Sequence, residues 1–445
     1  MKEITERHIA NFSSNFLKNP RNIIISNAVI NNGLQKVALN NQAKISQPHT
    51  FSIDIKTEKV TSQKKSGRCW LFAGLNLFRH HISKKYKIKD FELSQNYPMF
   101  WDKLEKSNYF LENILETLDL DIYDRTIMWL LTDPVQDGGQ WDMFVNLIHK
   151  YGVVPKYIMP ETFHSSNTYL MDKLITLKLR EFAVQLRENY RTQSDIQQLR
   201  KLKEQMIFEI YSMLVYFLGQ PPTKFDFEYR DKDDVYHLDQ NISPHEFFSK
   251  YIDFNLDNYL SIINAPTEDK PFFHTYTVKY LGNVIEGKPV HYLNLDNEKM
   301  KELTLKQLQQ EQLVWFGCDV GQMMDRDSGV MDVDLYLYSQ ALGLDFKLDK
   351  AQRLLYGESK LTHAMVFTGV NVVGDKPTRW KVENSWGEKS GNEGFYVMSD
   401  QWFDQYNYQV VIDRNLLSPE LAEAADQPAK ILPPWDPMGS LAVTL

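Results

Sequence analysis

Residues 69–83 carry Trp70, Leu71, Ala73, Leu75, Leu77, Phe78 and Ile82 with little polar face between them. A helix that is apolar on nearly every side must be enclosed by other elements, so this stretch predicts a buried helix inside a large fold. The chain has the material for that enclosure. Of its 445 residues, 43% are hydrophobic and 13% aromatic, which supplies a substantial core and excludes wholesale disorder. The helix also opens on a cysteine, which gives the same segment a chemical as well as a structural reading.

The first 55 or so residues are polar and Asn-rich, broken by Pro20 and Pro48, and read as an N-terminal arm or accessory lobe. Residues 92–104 and 108–118 are predicted as further helices, and Gly138-Gly139 breaks the chain before another at 141–149. Leu179, Phe182, Ala183, Leu186 and Tyr190 recur at helical spacing, as do Leu199, Leu202, Met206, Ile210, Met213 and Phe217. These predict two amphipathic helices. Ser194 with Gln197 reads as a capping box, and Gly219 with Pro221-Pro222 stops the second helix. This block reads as an insertion with a packing or assembly role. Residues 314–320, 363–370, 379–386 and 395–398 are short runs rich in Val, Phe, Tyr and Trp, predicted as strands. Three prolines between Pro433 and Pro437 forbid helix and hold the tail extended.

Several function classes are disfavoured at once. A net charge of −8 argues against nucleic acid as a main partner. No run approaches the ~18 apolar residues of a spanning helix, so no membrane partner is expected. Only Cys69 and Cys318 are present, too few for a disulfide framework, and the N-terminus has no apolar leader. The expected setting is a reducing, cytoplasmic one.

Cys69 follows Gly67-Arg68 at the start of the apolar helix. The positive end of the helix dipole and the neighbouring Arg68 would both favour the thiolate, which is the nucleophilic form. Gln63, six residues upstream, could supply one oxyanion donor, with the Cys69 N–H as the other. A nucleophilic thiol needs a base, and the base needs a group to orient it. Of eleven histidines, His80 and His81 ride a helix, and His245-Glu246 begins a zinc-peptidase motif that fails at Ser249. His363 opens a wholly apolar strand and is the candidate base. In 379–386, alternation puts Trp380, Val382, Asn384 and Trp386 on one face. A polar Asn384 on that face needs a partner, and His363 on a neighbouring strand provides one, with Trp386 shielding the bond. Cys318 reads as core. Asp325, Asp327 and Asp332 lack the pattern of a calcium loop and read as a solvated loop, and Lys84, Lys85, Lys87 and Lys89 as a solvated helix face.

The string from Gln63 to Trp70, His363 in its strand and Asn384-Ser385-Trp386-Gly387 resemble the papain-like cysteine peptidases. Within them the chain resembles the bleomycin hydrolase and aminopeptidase C group nearly end to end, including Trp435-Asp-Pro-Met-Gly-Ser-Leu-Ala442. The resemblance implies an α+β, two-lobed fold: 1–55 an N-terminal arm or accessory lobe, 56–160 the helical half, 161–290 a helical and hook-like insertion, 291–430 the β half, and 431–445 a C-terminal arm in the cleft. It implies Cys69 as nucleophile, His363 as base and acid, Asn384 as orienter and Gln63 as oxyanion donor, with no metal or organic cofactor. It also implies that Gly138, Gly139, Trp386 and Ala442 contact peptide substrate, and that the chain assembles as a homohexamer around an internal cavity.

Two departures from ordinary papain fit this. Ser66 stands where secreted relatives carry a disulfide cysteine, and 294 positions separate Cys69 from His363, against about 130–150 in papain-like enzymes. In the resemblance the arm's terminal carboxylate meets the substrate amino group and makes the enzyme an aminopeptidase. Here residues 443–445 continue past Ala442. They would be trimmed, or would open the cleft to oligopeptidase or endopeptidase cleavage. A non-catalytic scaffold of the same fold is the remaining reading.

Overall fold

The computed structural model describes residues 2–440, apart from residues 89, 194 and 253 and the side chain of residue 193. Ser194, Lys89, Ala442 and residues 443–445, each given a reading above, lie outside the described residues.

The predicted buried helix runs Cys69–Tyr86, and Trp70, Phe72 and Phe78 along it are fully enclosed. It packs between other helices and a sheet. The indole N–H of Trp315 from the sheet donates to the Trp70 carbonyl at 3.2 Å, joining the two halves at the helix's first turn. Beside it lies one helix, Asn96–Glu116, where two were expected over 92–104 and 108–118. The polar Ser107-Asn108 pair does not break it, because the Ser107 hydroxyl donates to the Lys103 carbonyl (2.7 Å) inside the helix. Arg125–Thr132 is a further helix, capped by Asp124, that hydropathy did not reveal. Trp141–Tyr151 forms where a helix was expected.

The two amphipathic helices are Tyr169–Gln193 and Ile196–Leu218, and they pack on each other and on Asn96–Glu116. The second helix is capped by Asp195, whose side chain accepts from Gln197 and Gln198 N–H. A two-stranded ribbon, Phe225–Arg230 with Tyr236–Ile242, follows and was not anticipated.

Among the described residues the main sheet has twelve strands. Its central members are Asn407–Asp413, Val314–Cys318, His363–Val373 and Lys376–Glu383, all antiparallel to their neighbours, with His363 directly opposite Cys318. Tyr259–Ile263 and His274–Val278, inside the stretch assigned to the insertion, belong to this sheet too, so the boundary at 290 falls within it.

The strand expected over 379–386 stops at Glu383. There the chain leaves the sheet and crosses to the helical half. Gln63 N–H donates to Ser385 O (2.8 Å) and Gly387 N–H to Thr61 O (3.0 Å). Asn384 is therefore not part of the alternation inferred for it; it sits at the crossing point, 1% exposed.

The tail is not wholly extended. Lys430–Leu432 pairs in parallel with His274–Val278, and Pro437–Gly439 makes a 3₁₀ turn capped by Asp436, with proline at its first position where no N–H is needed. At the other end, the helices Glu6–Leu17 and Pro20–Asn32 bury no residue, leaving Ile9, Phe12, Phe16, Ile24 and Ile30 exposed.

Candidate active site

Cys69 begins its helix with Sγ enclosed, the residue being 1% exposed. Ala364 N–H donates to the sulfur at 3.4 Å, which places it against the backbone of the residue next to His363. His363 is also buried, and its Nε2 lies 2.8 Å from Asn384 Oδ1. That oxygen accepts the Ser385 N–H as well, at 2.8 Å. A backbone N–H can only donate, so the Asn384 atom is an oxygen and His363 Nε2 carries the proton. Nδ1 is left with a lone pair to receive one. Trp386 covers the pair, its ring centroid 5.0 Å from that of His363.

Gln63 lies in the same junction. Its Oε1 accepts from the Ser385 hydroxyl (2.6 Å), and its Nε2 donates one hydrogen to Ser66 O (2.5 Å). The second hydrogen has no partner among the described residues. Ser66 returns a bond to Gln63 O (2.7 Å), so the turn before Cys69 is held by short polar contacts.

Arg68 corrects the expectation made for it. Its guanidinium turns away from Cys69 into a two-pronged pair with Glu161 at 3.0 and 2.8 Å. Burial pushes the Cys69 thiol up to about 12, opposed by the Ala364 N–H, while nearby Asp137 pushes the same way. Burial likewise lowers His363 to about 4, against the Asn384 contact and with help from the Arg326 charge. In both residues desolvation disfavours the charged form.

Gly138 and Gly139 lie in the segment packed against Trp70, the residue after Cys69. Gly139 lies under Trp70: a Cβ there would come within 2.5 Å of the indole ring. The Trp70 indole N–H donates to Asp137 O (2.7 Å), and the Asp137 carboxylate accepts Gly67 N–H (2.7 Å) and the Thr168 hydroxyl (2.6 Å). Two buried lysines hold this segment. Lys103 meets Val135 O and the Asp137 carboxylate at 2.8 Å; Lys106 meets Gln136 O at 2.9 Å and Gly138 O at 2.5 Å. Lys106 is neutralised by Asp102 at 2.7 Å.

The arm arrives at the same place. Ser440 O accepts from Gln140 Nε2 (3.1 Å) and the Ser440 hydroxyl donates to Leu361 O (2.9 Å). One contact lies next to Gly139 and the other two residues before His363. Asp436 pairs with Lys270 (2.9 Å), and the Tyr292 hydroxyl donates to Met438 O (3.2 Å), which fix the arm's course. A cavity of about 420 Å³ opens beside it, between Trp129, Trp435, Tyr109 and Tyr280.

A sulfur, an imidazole and an amide are thus brought to one junction. The Peptidase C1-like family profile matches residues 3–439. The chain belongs to that family. Among similar members, Aminopeptidase C of Listeria innocua serovar 6a is 49% identical over 441 residues, covering 99% of each chain. Aminopeptidase C of Lactobacillus delbrueckii subsp. lactis is 46% identical over 445 residues, again 99% of each. A crystal structure of PepW from Lactobacillus rhamnosis HN001 superposes with a TM-score of 0.97 at 51% identity, covering 99% of both chains. This Peptidase C1-like chain is a papain-like cysteine peptidase on an α+β fold.

Sequence reasoning missed the supporting residues. Asp137, Lys103 and Lys106 gave no signal beyond charges within otherwise packed stretches. Glu383, next to Asn384, is 2% exposed and accepts from Asn76 (2.9 Å) and Thr57 (2.7 Å), with Arg79 at 3.5 Å. It ties the strand leading to Asn384 to the helix that starts at Cys69. No helix of the described residues is long and apolar enough to cross a membrane. Asp325 is engaged by Lys44 (2.9 Å) and Asp332 by Gln47 (2.8 Å).

Proposed function

We propose that the chain is an aminopeptidase that removes residues from the amino end of peptides through an acyl-enzyme on Cys69. The observation that carries this is the Asn384 Oδ1 contact to His363 Nε2, which leaves Nδ1 as the basic nitrogen of a residue whose neighbour, Ala364, meets the sulfur through its N–H.

Cys69 gives its proton to His363 Nδ1 as the sulfur attacks the scissile carbonyl. Cys69 N–H and the uncommitted hydrogen of Gln63 Nε2 receive the developing oxyanion. His363 returns the proton to the departing amine, and then draws a proton from the water that cleaves the thioester. The cycle needs no metal or organic cofactor, only conditions that keep Cys69 reduced. On this reading Gly138, Gly139 and Trp386 bound an extended peptide.

Amino-end specificity is supported by the arm, whose described part reaches Ser440 beside Gln140 and Leu361. The similarity to proteins named Aminopeptidase C supports the same reading. A cytoplasmic location fits the two reduced cysteines. A homohexamer is supported by the exposed apolar residues of the N-terminal helices, which a second copy would cover.

The test is Cys69→Ala, with folding checked by thermal unfolding. Hydrolysis of free peptides should vanish while the melting temperature stays unchanged. Undiminished activity in that variant would reject the mechanism. Cleavage of N-acetylated peptides by the wild type as fast as of free ones would reject the amino-end specificity.

A further inference from the structure

Arg326 lies in the turn between the paired strands Met324–Asp325 and Val330–Met331 and has no role in the cycle above. Its guanidinium carbon sits 4.7 Å from the centroid of the Trp386 ring. Trp386 in turn covers His363. The base of the residue is anchored, since Arg326 O accepts from Gly391 N–H (3.0 Å) and from the Tyr396 hydroxyl (3.4 Å). The head group is exposed and forms no ion pair with any described residue. Neighbouring Asp325 is already engaged by Lys44 and the Ser328 hydroxyl. A cation laid on an aromatic face and left without a counter-charge is a preorganised anion receptor, with its planar fork matched to a carboxylate.

The position says which end of a peptide it meets. His363 protonates the leaving amine, so the product amine departs from the imidazole across Trp386. The other flank, where Gln140 and Leu361 approach, is taken by Ser440 of the arm. The guanidinium is close enough for its charge to be felt at His363.

We propose that Arg326 binds a carboxylate on the leaving-group side of the cleaved bond and so selects substrates with negative charge there. Such a carboxylate is the free α-carboxylate of a dipeptide or tripeptide, or an acidic side chain just after the bond. This selectivity rests on the assignment of Cys69 and His363 above, and names a substrate class that the assignment leaves open.

The experiment compares wild type and Arg326→Gln on a dipeptide free acid, the same dipeptide as its amide, and an aminoacyl 4-nitroanilide, which has no carboxylate. Wild type should favour the acid over the amide by about five- to tenfold in kcat/KM, the range open to an exposed charge-assisted contact. Arg326→Gln should lose that preference through a higher KM for the acid, with kcat and nitroanilide turnover unchanged, and Arg326→Lys should recover part of it. Tripeptide amides with a free amino end and Glu or Gln after the cleaved bond show which source of carboxylate is read. An acid preference untouched by Arg326→Gln, or an equal loss on all three substrates, would overturn the proposal. Failure of the catalytic assignment is read separately, as nitroanilide turnover surviving in Cys69→Ala.

Discussion

Asn384 Oδ1 accepts two hydrogen bonds at 2.8 Å, one from His363 Nε2 and one from Ser385 N–H. The second bond fixes the amide's orientation, and the amide then fixes the imidazole tautomer. Asn384→Ala should lower kcat on the order of 10²-fold with a smaller change in KM, because only the proton-transfer geometry is lost. Steady-state kinetics on a free dipeptide checks this. A variant as active as wild type would show that the covering Trp386 ring orients His363 unaided.

The pH dependence follows from burial of the imidazole. His363 is lowered from 6.5 to about 4, with desolvation the largest cause. In the unfolded chain the ring takes up a proton near its ordinary value; in the fold it does not until far lower pH. Its contribution to stability is therefore complete above about pH 6.5 and is lost as pH falls towards 4, by an amount on the order of 3 kcal/mol. Urea unfolding of wild type and His363→Gln at pH 7 and pH 4.5 should show the larger drop in wild type. The acid limb of kcat/KM should fall near pH 4, where the base becomes protonated.

Gly139 is required by Trp70. An added Cβ would meet three carbons of the indole ring at 2.5–2.6 Å, and the ring cannot swing away without giving up its bond to Asp137 O. Gly139→Ala should cost ~1–3 kcal/mol in chemical denaturation and reduce kcat/KM, as overpacking of a well-filled site does. A stability change below about 0.5 kcal/mol would mean the segment relaxes freely.

Lys106 holds Gln136 O and Gly138 O from below and is neutralised by Asp102. Lys106→Met strands a buried carboxylate as well as two carbonyls and should cost about 3–5 kcal/mol. Adding Asp102→Asn should recover part of the stability but not the activity, since segment 136–139 would still lack its support. Full recovery of activity in the double variant would argue that the lysine serves the fold alone.

The candidate groups were legible because each carries a local signature: a cysteine opening an apolar helix, a histidine heading an apolar strand, an amide two residues before a tryptophan. Their environment was not. Arg68 looked like a neighbour that would lower the thiol's proton affinity, yet its charge is spent on Glu161, a residue 93 positions away. Asn384 looked like a member of an alternating strand, yet the strand ends one residue earlier and the chain turns to pair with residues 61–63. The helix break expected near Ser107 is absent because a hydroxyl can be satisfied by the carbonyl four residues back.

Periodicity and residue chemistry alone determined the buried helix, the amphipathic pair, the central strands and the identity of the candidate sulfur, base, amide and oxyanion donor. These follow from spacing within a few residues, where one element's face is decided. Only the tertiary structure decided the burial that shifts the thiol and imidazole, the lysine support beneath Gly138 and Gly139, the arm's approach through Ser440 and the stacking of Arg326 on Trp386. Each of these depends on burial and on partners from remote parts of the chain, and desolvation is a property of the packed surroundings, which no local pattern encodes.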